Sequence, residues 1–230
     1  MLPSLLFAGV IFAAPAPADS VGALISATVE AYGGEAALRR ASFRRVTGEL
    51  IATRHGKEPG SFVRLLRGVG QLGVVNVFPT SGREVRLLRA GKGWRNNVEV
   101  RGMPLFGMML QDARLAVPLN LLDGKQRVTS LGPTERDGKK LTILELSLIE
   151  GMGMRVEIDV ATHRVVRTVG RIPTGRGSIE FVTDYSDFRR VDGVLFPFAE
   201  RRTIMGRPAA SVRVTAIEIL EPKAADGIEL

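Results

Sequence analysis

From Phe43 onward, apolar residues recur at every second position in short runs, and this period limits the chain to a few architectures. Leu144, Leu146 and Leu148 alternate with Glu145 and Ser147, and Met154, Val156, Ile158 and Val160 alternate with Arg155, Glu157 and Asp159. Successive side chains of a strand point to opposite faces, so such runs bury one face and wet the other. Similar β-like stretches cover 45–53, 62–66, 73–78, 83–89 and 165–170, punctuated by Gly, Pro and Ser clusters. Asp137-Gly138 and Asp192-Gly193 are strong hairpin turns. The last strands, near 178–190, 194–205 and 210–220, read as a meander. Hairpin-linked antiparallel strands need no crossover helices. The expected fold is mainly β: an unclosed antiparallel β-barrel, or strongly curved sheet, with a few short helices on its concave side.

Two segments break the period. Val21, Leu24, Ile25, Val29 and Tyr32 make one helical stripe, with Ser20 as cap and Gly33-Gly34 as terminator. A second short helix over 35–41 follows, with Ala36, Ala37 and Leu38 inward. The other segment, 103–122, reads as two helices that start with Pro104 in a first turn and break at Pro118. Its apolar residues cover more than one helical face. Such a helix is buried in a core, or faces something apolar besides its own core. Both readings stay open. On the second, the segment walls a greasy cavity, and Met103, Met108 and Met109 add adaptable surface. The ligand-lining residues would then be Trp94, Met103, Leu105, Phe106, Met109, Leu110, Leu119 and Leu122.

The first residues have the order of an export signal. An apolar run over 5–14 precedes Ala16-Pro17-Ala18 and polar Asp19, which predicts a leader, residues 1–18, cleaved near Ala18. No Lys or Arg precedes the run. A membrane span needs roughly 20 apolar residues, more than this run holds. The remaining residues, 19–230, suit a single domain. The absence of cysteine excludes disulfides, thiolate chemistry and N-terminal lipidation of this chain.

Of 32 basic residues 26 are Arg, and the net charge is +8. That balance suits a solvated basic surface or attraction to anionic lipid, nucleic acid or acidic protein. Sparse aromatics not interleaved with the arginines argue against nucleic acid. Gly68-x-Gly70-x-x-Gly73 has dinucleotide-site spacing, but Val74, Val75, Val77 and Phe78 follow it where a helix should open. Gly91-Lys92-Gly93 lacks the spacing of a phosphate loop. His55 and His163 stand apart without ligand partners at zinc spacing. Asp184, Asp187 and Asp192 do not follow a calcium-loop pattern. No catalytic, cofactor or metal residues are therefore expected.

Three pieces, in order, carry a family resemblance. Tyr32-Gly33-Gly34-Glu35-Ala36-Ala37-Leu38 precedes a strand at Phe43, and Gly91-Lys92-Gly93-Trp94 lies in the middle. Asp184-Tyr185-Ser186-Asp187-Phe188-Arg189-Arg190-Val191-Asp192-Gly193-Val194-Leu195-Phe196-Pro197 closes the series. Together they resemble the LolA-like outer-membrane lipoprotein-sorting proteins over most of 30–220. The resemblance implies a half-barrel wrapped around helices, in the periplasm of a Gram-negative bacterium, with an apolar cavity for lipid or lipoprotein acyl chains. It also implies a strand arginine that latches the helical lid, though the spacing selects none of the 26. The expected function is non-enzymatic carriage or binding of acyl chains by a monomer that exchanges cargo with membrane-protein donors and acceptors. The alternative is an envelope protein-interaction, signalling or protease-accessory module on the same scaffold. A periplasmic enzyme ranks behind both, because site signatures are missing.

Overall fold

Thirteen antiparallel strands form one sheet in the computed structural model, which describes residues 18–222 except 57 and 150. The expected leader lies almost wholly outside the described residues. The chain opens with α1 (Ala18–Ala31) and α2 (Glu35–Arg40), followed by β1 (Phe43–Ala52), β2 (Pro59–Arg67) and β3 (Gln71–Phe78). Next come β4 (Gly82–Arg89), β5 (Lys92–Arg95), β6 (Val98–Val100), α3 (Met103–Leu115) and α4 (Leu119–Asp123). The second half holds β7 (Val128–Arg136), β8 (Lys139–Ser147), β9 (Gly153–Asp159) and β10 (Val165–Thr174). It ends with β11 (Gly177–Val191), β12 (Val194–Ile204) and β13 (Arg207–Ile219).

The strand order is β6-β5-β4-β3-β2-β1-β13-β12-β11-β10-β9-β8-β7. Two meanders are thus joined where β1 pairs with β13, with Arg45 opposite Glu218. The sheet does not close: β6 and β7 are its edges, and α3 and α4 carry the chain from one edge to the other. This route places the over-apolar segment against the sheet, where α3 packs on β10, β4 and β5. Met154, Val156 and Ile158 of β9 are fully buried, as period-two burial requires. Ile25 and Val29 of α1, and Tyr32 just after it, join the same core.

The motif pieces from the two ends of the chain meet. The Leu195 amide donates to the Tyr32 carbonyl (3.0 Å), and the Val165 amide to the Tyr32 hydroxyl (3.1 Å). Gly33 has φ +118°, and a Cβ there would lie 2.6 Å from the Gly193 carbonyl oxygen. Arg190 donates to the Gly193 and Ala31 carbonyls, placing a cation at the C-terminal end of α1. These residues dock α1 onto the β11–β12 hairpin.

Gly170 of β10 sits directly beneath α3. A Cβ on it would come within 2.3 to 2.7 Å of three Leu110 side-chain carbons, so this close approach requires glycine. Overpacking a filled core costs about 1–3 kcal/mol. Gly170→Val is therefore expected to lower stability by about that amount, measured by urea unfolding. An unchanged midpoint would show that α3 does not rest on β10.

Some elements differ from expectation. The first helix starts at Ala18, so Ser20 lies inside its first turn rather than ahead of it. Gly93, the last residue of the Gly91-Lys92-Gly93 cluster, is buried in β5 against Leu105 and Met108 rather than in the turn before it. β7 has no clean apolar alternation, contains Pro133 and is bulged between Ser130 and Gly132. An edge strand tolerates both features, because one side of its ladder is unpaired.

Candidate functional site

The concave side holds a cavity of about 920 Å³ between the sheet and α3. Leu50, Ala52, Phe62 and Val74 line it from β1 to β3, and Met154, Phe181 and Ala210 from the second meander. Met103, Met108 and Leu110 cover it from α3. A smaller space of about 80 Å³ lies among Tyr32, Arg44, Leu115, Leu119, Val165 and Leu195. Arg64 and Arg114 line both spaces.

The eight residues expected at a ligand do not gather in one place. Met103 and Leu110 line the large cavity, and Leu119 lines the small one. Leu105, Phe106, Met109 and Leu122 are partly buried and pack on the core. Trp94 is half-buried on β5, where it pairs with Leu87 and Glu99. Helical periodicity identifies apolar positions, but it does not say which face of α3 turns toward the opening.

Sequence reasoning missed the polar part of the cavity. Seven arginines line it, and among the described residues no Asp or Glu does. They belong largely to two clusters. In the first, Glu200 of β12 accepts from Arg64 Nη1 (2.8 Å), Arg114 Nη1 (3.1 Å) and Arg202 Nε (2.9 Å). Burial alone would raise the Glu200 pKa, but Arg114, Arg202 and Arg64 outweigh it and hold the carboxyl well below the usual range. Burial lowers the Arg202 guanidinium to about 10 against the opposing pull of Glu200. The Tyr185 hydroxyl lies 2.9 Å from that of Thr168 and also contacts Arg114.

In the second cluster, Glu84 of β4 accepts from Arg54 (2.8 Å) and Arg95, with Arg86 Nε 3.3 Å away. That Nε is buried without a hydrogen bond. Burial lowers Arg86 to about 10, Glu84 opposes the shift, and repulsion from Arg54, Arg202 and Arg95 adds to it. Each carboxylate thus faces three guanidiniums. The sequence trace of these clusters is an Arg two residues after each Glu, Glu84–Arg86 on β4 and Glu200–Arg202 on β12, and it looks like the wet face of a strand until the sheet curls.

Solved structures share this architecture. A domain from Vibrio parahaemolyticus described as outer-membrane lipoprotein-sorting superposes with a TM-score of 0.55 at 8% identity, over 91% of this chain and 97% of that one. A LolA superfamily protein from Nitrosomonas europaea gives 0.54 at 14% identity, over 81% and 93%. This chain has the LolA-like fold. No protein-family model matches the sequence, and no curated protein sequence does.

Within this LolA-like fold, Arg44 bridges strand and helix. From β1 it donates to the Leu115 carbonyl at the end of α3 (2.6 Å) and to the Ala41 carbonyl (2.6 Å). Its guanidinium also lies 5.5 Å from the Phe196 ring centroid. Burial, and then repulsion from Arg64, lower it to about 10, with Asp112 opposing. Asp112 in turn accepts the Gly70 amide (2.9 Å). α3 is therefore tied to β1, to the β2–β3 turn and, through Arg114, to β12 by polar contacts at its C-terminal half.

Proposed function

We propose that this chain is a non-enzymatic carrier or binder of acyl chains, from lipids or lipoproteins, in the periplasm. The cavity of about 920 Å³ under α3 carries this reading. Ligand sites typically run about 300–1,000 Å³, so the space is large enough for long apolar chains. Each buried methylene contributes about 0.8 kcal/mol, so an apolar wall suffices for affinity. A carrier must also release its cargo, which a helix spanning two unjoined sheet edges permits and a closed core does not. Export through the leader over 1–18 delivers residues 19–230 as the working domain. The carrier acts as a monomer, takes cargo from a membrane-protein donor and passes it to an acceptor.

Mass spectrometry of the protein purified from a bacterial host is expected to show co-purified lipid, and a fluorescent acyl probe should displace it. Ala52→Trp fills the cavity from β1 and should weaken probe binding at least about tenfold while the melting midpoint holds or rises. A lipid-free protein that also ignores the acyl probe would overturn the reading.

A further inference from the structure

The cavity is apolar in most of its walls yet cationic in its polar part, and the carboxylates that pair with the cations lie outside its lining. Arg64 and Arg114 are almost fully covered, with side chains 4% and 9% exposed. Arg86 and Arg202 keep 24% and 22% exposed, and both line the cavity. They come from β4 and β12, five places apart in the strand order, and the curvature of the sheet brings both onto the wall of one cavity. Each belongs to a cluster with three guanidiniums and one carboxylate. Excess charge of one sign in a low-dielectric space is costly until a counter-charge enters.

We propose that Arg86 and Arg202 form an oxyanion site inside the cavity, so that the occupant is an amphiphile whose carboxylate or phosphate head sits between them while its chain fills the apolar remainder. Guanidinium forks match the planar or trigonal oxygens of both heads, and charge-assisted bonds of this kind strengthen where water is scarce. This inference rests on the acyl-binding reading and adds the chemical class of the head group.

The test compares hexadecanoate, hexadecyl phosphate and hexadecanol by calorimetric titration into the purified chain after lipid extraction. At least one anion is expected to bind about 10- to 100-fold tighter than the alcohol, the range of a charged hydrogen bond. The stronger of the two anions identifies the source of the head group. Arg86→Met should bring that anion to within about threefold of the alcohol while leaving alcohol binding unchanged, and Arg86→Lys should restore part of the gap. Equal binding of all three by the wild-type chain overturns the oxyanion site and leaves the acyl cavity standing. Binding of none overturns both. If Arg86→Met fails to fold, the wild-type ranking alone decides.

Discussion

Replacing Glu200 by Gln is expected to destabilise this protein by about 3–5 kcal/mol, the largest effect among the substitutions considered. The residue is buried, and three guanidiniums converge on it. Removing one partner of a buried ion pair leaves the other charged and desolvated, and here three charges remain. The same group makes stability depend on acid. Its folded pKa lies below its unfolded one, so its contribution is complete above the ordinary carboxylate value of about 4.3. That contribution is lost as the pH falls from there through the lower folded value. Urea unfolding at pH 7 and pH 3 checks both points: Glu200→Gln should lower the midpoint strongly at pH 7, and the gap to wild type should shrink at pH 3. Equal gaps at the two pH values would show that Glu200 acts through packing rather than through charge.

Replacing Arg44 by Met is expected to cost about 1.5–3 kcal/mol, the range for hydrogen bonds to charged groups, and to speed release of a bound acyl probe about tenfold or more. Arg44 supplies donors to the Leu115 and Ala41 carbonyls, and its charge opposes that of buried Asp112. A cation at the end of α3 also favours the helix dipole. Without it the C-terminal half of α3 keeps the bond from the Gly70 amide to Asp112, the Arg114–Glu200 ion pair and its apolar contacts. Stopped-flow displacement of the probe, run beside thermal unfolding, separates the two roles. A lower melting midpoint with unchanged release would make Arg44 a purely structural residue.

Much of the sheet was legible because alternation is a local property. Leu144, Leu146, Met154, Val156 and Ile158 announce the buried face by their spacing, and each is almost wholly covered. The hairpins at Asp137-Gly138 and Asp192-Gly193 were legible because positive φ at Asp137 and Asp192 demands particular residues. β5, β6 and β7 were not, since two are very short and the third is an edge strand whose Pro133 and bulge break the pattern. The site was less legible still. The apolar stretch containing α3 identified the right segment, but not that Met103 and Leu110 face the large cavity while Phe106 and Met109 pack elsewhere.

The sequence by itself determined the period of the strands, the places where they turn, and the presence of one helical stretch too apolar to face water. Those are contacts between neighbours in the chain, and residue type decides them. Only the tertiary structure decided that β1 pairs with β13, which unites two meanders and leaves β6 and β7 as edges for α3 and α4 to bridge. It also decided the charge of the cavity. Arg64, Arg86 and Arg202 each read as the polar position of a strand, and on a flat sheet they would meet solvent. Curvature turns that face inward and brings strands far apart in sequence together around Glu84 and Glu200. Local spacing sets which face a side chain occupies, but the bend of the whole sheet sets whether that face meets water or a cavity.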